Sequence, residues 1–328
     1  MKRLDNPFGL LAFLHWYHDW NKFQFSEDVL KKAVDQLDEL GMPIVRMDIL
    51  WADVHRGVGK FDFSRYDKII ALLEKKGIHL LGLLQYNKME DTSDPRAWSR
   101  PPTSFDEFAG YVDATVNRYK NWVKHWEIWN EPNHPEYWAE PRDGLKKYVD
   151  LLRHARTAAK QADPSCVVLN GGLTDPLEED LNNFYVNGGK DLADILSIHT
   201  FVDPLAKDRE ERFETKLRQA EKMMDQHGDS KKKIWITEMG CPGVPDFEKH
   251  QKWFAGECVN EDQQAEWLEK LYDIIKKHPR IEKLFWAFYC DTDDNFSDAT
   301  DYMGLVRKDL SPKASFVRLQ RLIKTFPS

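Results

Sequence analysis

Cysteine is scarce in this sequence of 328 residues. The four cysteines, at positions 166, 241, 258 and 290, have no metal-ligand spacing. A chain of this length can bury a core without disulfide bonds. We therefore expect free thiols and no zinc site. We also expect the chain as given to be cytoplasmic, with secretion as the alternative if a signal segment was removed.

The sequence also lacks a long hydrophobic run and an excess of basic residues. Its first residues, MKRLDNPFGLLAFLHW, are interrupted by His15 and have no cleavage pattern, so we expect neither a signal peptide nor a membrane span. The formal net charge is −8, and the one basic run, Lys231 to Lys233, directly precedes an apolar strand. A nucleic-acid partner is therefore not expected.

Glycine-rich phosphate motifs are missing as well, which argues against a doubly wound nucleotide-binding sheet. Instead, short apolar runs alternate eight times with amphipathic helical segments such as the one from Ser26 to Gly41. The runs are FGLLAFL, PIVRMDIL, HLLGLLQY, HWEIWN, VVLNGG, ILSIHTF, IWITEM and LFWAFY. This alternation predicts an α/β fold, a (β/α)8 TIM barrel, as a single domain over residues 1–328.

Polar residues of functional type stand at or near the ends of the predicted strands, where barrel enzymes carry their active sites. Extended loops follow predicted strands 3, 7 and 8 on the same face. Strands 4 and 7 lie roughly opposite each other, so carboxylates at their ends can flank one bond. The candidate residues are Arg46 on strand 2, Asn130 and Glu131 at the end of strand 4, His199 on strand 6, Glu238 on strand 7 and Trp286 on strand 8.

Two of these strand ends resemble a known group of enzymes. WEIWNEPN at 126–133 resembles the acid/base motif of glycoside hydrolase clan A, and IWITEMG at 234–240 resembles its nucleophile strand. The continuation NEPNHPEYW, the run SIHTF and the stretch FWAFYCDTDD are most similar to family 39, which includes β-xylosidases and endo-acting exopolysaccharide hydrolases. Family 5 is the nearest competitor.

The resemblance implies a retaining hydrolase of β-linked glycosides that needs no metal or other cofactor. Glu131 would be the general acid/base and Glu238 the nucleophile. In a pair about 5 to 5.5 Å apart, one ionised carboxylate raises the pKa of the other. The implied substrate is an oligo- or polysaccharide.

The same resemblance implies supporting roles in substrate binding. Arg46 would hold Glu238 ionised, Asn130 would donate to the sugar 2-hydroxyl, and His199 would line the pocket. Trp286 would form the apolar floor under the reacting sugar.

One position departs from the clan, which often has a tyrosine near the end of strand 6 that bonds the nucleophile. This sequence has Phe201 there. Either Tyr86 or Tyr289 substitutes from a neighbouring strand, or the nucleophile is tuned without a tyrosine.

Other interpretations stay open at this point. His15 and His18 follow strand 1 and are candidates for substrate contact, whereas Glu127 would sit too deep to reach a sugar. The acidic cluster Asp291, Asp293, Asp294 and Asp298 is read as a solvated loop or a sugar-hydroxyl acceptor rather than a calcium site. Several aromatic side chains, Trp16, Tyr17, Trp20, Trp51, Tyr86, Trp98, Trp129 and Trp138, could line sugar subsites or simply pack.

Two further functions remain as alternatives: a non-catalytic carbohydrate-binding barrel and a transglycosylase that uses the same residues.

Overall fold

A computed structural model describes residues 2, 4–17, 25–88, 93–140, 142–246, 252–292, 295–296 and 298–327. Eight parallel strands form a nearly closed barrel, with the order β5-β4-β3-β2-β1-β8-β7-β6. They are β1 (Phe8–Leu11), β2 (Ile44–Leu50), β3 (His79–Gln85), β4 (His125–Ile128), β5 (Val167–Asn170), β6 (Leu196–His199), β7 (Ile234–Met239) and β8 (Ile281–Ala287). Bridges between Leu169 and Ile195 and between Leu173 and Ile198 join β5 to β6. The predicted (β/α)8 barrel is confirmed, while the single-domain organisation stays a prediction.

Helices follow every strand and cover the outside of the barrel. They are α1 (Glu27–Leu40), the short α2 (Trp51–Val54), α3 (Ser64–Lys75), α4 (Phe105–Tyr119), α5 (Lys146–Ala162), α6 (Leu177–Val186), α7 (Arg209–Gln226), α8 (Glu261–Ile275) and α9 (Ala314–Thr325). Helix α1 has the predicted ends: Ser26 caps its first turn, and Gly41 ends it at φ +80°, a conformation that glycine adopts without strain. None of the described helices is both long and apolar enough to cross a membrane.

The barrel interior changes from apolar to polar towards the carboxyl ends of the strands. Its lowest layer is a separate cluster of Ile44, Leu81, Leu169, Trp235 and Phe285. Because side chains alternate along a strand, the next inward positions are two residues further on. Those positions include Arg46, Glu127 and Thr237, all of them buried. The core therefore supports a layer of paired polar groups directly beneath the mouth of the barrel.

A buried lysine joins the loops after β7 and β8. Lys313 Nζ donates to Asp291 Oδ1 at 2.7 Å, to the Tyr302 carbonyl at 2.9 Å and to the Gly243 carbonyl at 3.2 Å. Burial raises the pKa of Asp291 to about 7, against the opposing effect of Lys313. The expectation of a solvated acidic loop is therefore wrong for Asp291. Asp298 accepts from its neighbour Thr300, and Asp293 and Asp294 lie outside the described residues.

The four cysteines are buried and free, as expected.

Candidate active site

The two motif glutamates meet at the mouth of the barrel. Glu131 follows β4 in a tight turn at φ +43°, a left-handed conformation that is strained for a residue with a side chain. Glu238 lies near the end of β7, and a register irregularity beside His199 brings it opposite β6. One oxygen of each carboxylate and one ring nitrogen of His199 all lie within 4.8 Å of one another. The side chains of Glu131 and Glu238 are 10% and 14% exposed.

Arg46 connects Glu238 to the polar layer beneath it. Its Nη1 donates to Glu238 Oε1 at 2.5 Å, its Nε to Glu127 Oε2 at 2.6 Å, and its Nη2 to Asn130 Oδ1 at 2.9 Å. Burial alone lowers the pKa of Arg46, but the charges of Glu127 and Glu238 outweigh it and raise that pKa above its ordinary value. A charge-assisted bond of this kind fixes the orientation of the Glu238 side chain.

Glu127 lies wholly beneath the mouth, as expected. It is fully buried, and its Oε1 accepts from the Gly172 backbone at 3.0 Å, from Ser197 Oγ at 2.8 Å and from Thr237 Oγ1 at 3.1 Å. Arg46 donates to its other oxygen, so both oxygens of the buried Glu127 side chain have hydrogen-bond donors. Its role is to hold the layer on which the mouth residues rest.

This layer also determines which nitrogen of His199 carries a hydrogen. The hydroxyls of Ser197 and Thr237 lie 2.6 Å apart, and Glu127 Oε1 lies 2.8 Å from the first and 3.1 Å from the second. If the Thr237 hydroxyl donates to Glu127, His199 Nε2, 3.0 Å from Thr237 Oγ1, is the donor to it. In a neutral ring Nδ1 is left as an acceptor, 2.7 Å from Glu131 Oε1.

The pKa values of His199 and Glu131 agree with this hydrogen-bond arrangement. Burial lowers the pKa of His199 to about 4, so the ring is neutral near pH 7. Burial raises the pKa of Glu131 to about 7, although the charges of His134 and Arg46 oppose the shift. With Nδ1 as the acceptor, a protonated Glu131 donates to it. We had expected the charge of Glu238 to raise the pKa of Glu131, but the main cause of the shift is burial.

His199 and His15 are more enclosed than the sequence suggested. His199 has no exposed surface, and His15 is 1% exposed. Neither ring is open to a ligand, so the prediction that His199 and His15 contact the substrate is wrong. His199 contacts Glu131, and His15 Nε2 lies 3.3 Å from Asp48 Oδ2. His18 and Trp20 lie outside the described residues.

Asp48 and Gln85 were missed as members of the site. Gln85 Nε2 donates to Asp48 Oδ1 at 2.6 Å. Burial raises the pKa of Asp48 to about 7, with Arg46 opposing the shift. The signal was available, because Asp48 stands two residues after Arg46 and so shares its inward face.

Trp286 does not form the predicted floor. It is fully buried, and its indole N–H donates to the Met303 carbonyl at 3.0 Å. Its neighbour Phe285 occupies the inward position, so Trp286 packs outside the barrel sheet. The aromatic ring that follows the strand end is Phe288, which stacks on Phe296 at 5.6 Å.

The two candidate tyrosines differ in position. The Tyr289 hydroxyl donates to Gln36 on α1 at 2.6 Å, so its proposed substitution for the missing tyrosine is wrong. Tyr86 lies at the mouth, where burial and then the charges of nearby groups, including Glu238 and Glu131, raise its pKa well above the ordinary value. Within the described part of the chain, no hydrogen bond joins Tyr86 to Glu238. Its ring packs edge-on against Trp98 at 4.8 Å and Trp129 at 5.6 Å.

In the described ranges, Glu131, His199 and Glu238 are also the group that could hold a metal ion. Two of them, Glu131 and Glu238, form the carboxylate pair, and the third, His199, bonds to Glu131. The expectation that the reaction needs no metal stays a prediction.

A (β/α)8 barrel with two carboxylates facing one another at its mouth has the architecture of a glycoside hydrolase. A family model described as "Glycosyl hydrolase catalytic core" matches residues 88–314. The chain belongs to this glycosyl hydrolase family.

Two curated plant relatives are similar over part of the chain. "Beta-glucosidase 40" of Arabidopsis thaliana is 29% identical over 109 residues, or 31% of this chain and 21% of the relative. "Beta-glucosidase 6" of Oryza sativa subsp. japonica is 28% identical over 115 residues, or 34% of this chain and 21% of the relative. The match thus spans about a fifth of each relative, 21% in both cases.

Solved structures share the fold over nearly the whole chain. A family 39 glycoside hydrolase from Bacteroides cellulosilyticus WH2 has a TM-score of 0.76 at 20% identity, covering 99% of this chain and 64% of that one. A monomeric beta-xylosidase from Caulobacter crescentus CB15 has 0.71 at 17%, covering 97% and 68%. GH5_18 from Streptomyces cattleya has 0.71 at 17%, covering 99% and 82%. Both families named from the sequence thus occur among proteins of this fold.

Proposed function

We propose that this chain hydrolyses β-linked glycosides with retention of anomeric configuration, with Glu238 as nucleophile and Glu131 as general acid/base. The observation that carries the proposal is the spacing of the pair, with facing oxygens of Glu131 and Glu238 within 4.8 Å. Retaining enzymes place their carboxyl groups roughly 5 to 5.5 Å apart, whereas inverting enzymes need about 6.5 to 9.5 Å to admit a water molecule.

In the first step, an oxygen of Glu238 bonds to the anomeric carbon while the bond to the leaving oxygen breaks. The proton of Glu131 leaves its 2.7 Å contact with His199 and passes to that oxygen, so the leaving group departs neutral. Arg46 holds the attacking carboxylate in place through its 2.5 Å bond. Asn130, whose amide oxygen is held by Arg46, has its NH2 group left to donate to a sugar hydroxyl.

In the second step, Glu131 takes a proton from water, and the resulting hydroxide displaces Glu238 from the anomeric carbon. Esterification removes the negative charge of Glu238, so the positive charge of Arg46 is balanced by one carboxylate fewer. This change lowers the pKa of Glu131 and favours its action as a base.

The test is hydrolysis of activated β-xyloside, glucoside, galactoside and mannoside by the wild-type chain, Glu238→Ala and the surface control Glu179→Ala. We expect release from at least one sugar, loss in Glu238→Ala and wild-type rates in the control. NMR of the first-formed product should show the β-anomer. A 2-deoxy-2-fluoro glycoside of the same sugar should label the peptide that contains Glu238.

Each failure has a distinct meaning. An α-anomer as first product contradicts retention, and a label on another peptide contradicts the nucleophile. If activated glycosides and polysaccharides are bound but never cleaved, and Glu131→Gln and Glu238→Gln bind them as the wild type does, the chain is a carbohydrate-binding barrel.

A further inference from the structure

A small β-hairpin in the loop after β7 presents an aromatic ring to solvent. Its strands, Lys252–Trp253 and Gly256–Glu257, are antiparallel, and Phe254 and Ala255 form the turn. Trp253 is buried at 5% exposure, whereas Phe254 is 60% exposed. A single exposed aromatic residue is ordinary on a protein surface, so its meaning depends on where the hairpin places it.

Ring contacts lead from this hairpin to the candidate pair. The rings of Phe254 and Phe201 are 5.0 Å apart and nearly perpendicular, and Trp253 contacts both, at 4.6 Å from Phe254 and 5.9 Å from Phe201. Phe201 in turn lies 6.4 Å from the ring of His199, which bonds to Glu131. Phe254 is therefore the outermost ring of an apolar series that ends at the general acid/base.

The hairpin packs against a neighbouring loop, and the loop that carries it is closed by a backbone contact. A Cβ on Gly256 would meet the Cγ atom of Asp203 at 2.4 Å, so the hairpin packs closely against the loop after β6. Its φ of +152° also favours glycine. At the base, Val244 N donates to the Val259 carbonyl at 2.8 Å and closes the loop. A ring held in this way is preorganised for a ligand.

We infer that Phe254, supported edge-on by Phe201, is a platform for the leaving group of the substrate. Phe254 lies on the leaving-group side of the site because it lies on the side of the general acid. Glu131 delivers its proton to the leaving oxygen, and the apolar series extends outwards from His199, which bonds to Glu131. The ligand chemistry is a ring with a flat apolar face, supplied either by a second sugar unit or by an aryl aglycone. This inference rests on the proposed function.

The experiment compares leaving groups on one sugar, chosen as the sugar that the wild-type chain hydrolyses. A glycosyl fluoride has nothing to pack on Phe254, whereas the β-linked disaccharide and an aryl glycoside each present a ring. For Phe254→Ala we expect kcat/KM to fall about threefold to tenfold for ring-bearing substrates and to stay unchanged for the fluoride. Phe254→Tyr should retain activity, and Val186→Ala, an exposed apolar residue at the opposite end of the barrel, should change neither.

The two arms separate the sources of the ring: loss on the disaccharide alone assigns a sugar subsite, and loss on the aryl glycoside alone assigns an aglycone site. An equal loss on the fluoride, or no loss on any substrate, overturns the inference while leaving the proposed function intact. A change in oligomeric state without a change in selectivity would instead make Phe254 a contact between copies, and also overturns it. A wild-type chain that cleaves none of these substrates contradicts the proposed function and, with it, this inference.

Discussion

Replacing Thr237 with valine tests the proton arrangement around His199. Valine has a similar shape but offers no oxygen to His199 Nε2, which lies 3.0 Å from the threonine hydroxyl. The neutral ring then carries its hydrogen on Nδ1, 2.7 Å from Glu131, and donates it to that carboxyl group. A donor to a carboxylate favours the ionised form, so the pKa of Glu131 falls. Glu127 keeps its bond from Arg46 and its other donors, so the polar layer survives.

The size of this effect follows from the two kinds of hydrogen bond. A bond to a charged group stabilises by about 1.5 to 3 kcal/mol and a neutral one by about 1 kcal/mol. Their difference corresponds to roughly one pKa unit. Burial raises the pKa of Glu131 to about 7 in the native site. Because the protonated form is active, activity is lost as the pH rises through this value.

The assay is the pH profile of kcat/KM for Thr237→Val beside the wild type and Thr237→Ser. In the valine variant the basic limb should move down by roughly one pH unit, whereas serine keeps a hydroxyl and should leave the limb near its wild-type position. The reasoning is refuted if the valine limb does not move, or if serine moves it equally.

Three further perturbations have defined outcomes. Glu131→Ala should remove the basic limb and lower kcat/KM for poor leaving groups about 10²- to 10⁴-fold; a pH profile with the limb unchanged contradicts the assignment. In Gly172→Ala the new Cβ would lie 2.1 Å from Nε2 of His199, so kcat/KM should fall with the circular dichroism spectrum retained, and wild-type activity would be inconsistent with this packing. Lys313→Met leaves Asp291 buried without its cation, which should cost about 3 to 5 kcal/mol in urea unfolding at pH 8. Because burial raises the folded pKa of Asp291 to about 7, the folded state binds more protons than the unfolded state below that pH, so the loss should shrink at pH 5 to 6; equal losses at both pH values argue against it.

Hydrophobic alternation and two short motifs were sufficient to predict the barrel and the positions of Glu131 and Glu238. The direction of other side chains could not be predicted in the same way. Trp286 was assigned to the mouth because it lies near a strand end, but β8 alternates regularly beside β1, and with Phe285 facing inwards Trp286 faces outwards. Hydrophobicity does not reveal which of two neighbouring aromatic residues faces inwards when both faces of a strand are buried.

The sequence also did not predict which polar side chains are accessible to a ligand. His199 and His15 are polar residues near strand ends, and only the packed structure distinguishes a side chain that contacts ligand from one that acts through a carboxylate. Asp48 was overlooked because no motif marks it, although its spacing from Arg46 places it on the inward face.

The short pairing between Val244 and Val259 has a consequence for how this barrel can change. The described residues between them, 245–246 and 252–258, include the hairpin, and the backbone contact that closes their loop lies outside the strand carrying Glu238. Trp253 and Cys258 are buried and hold the segment in place, whereas residues 252, 254 and 257 are exposed. We therefore expect a library confined to these three exposed positions to alter which substrates are accepted while the carboxylate pair keeps its arrangement.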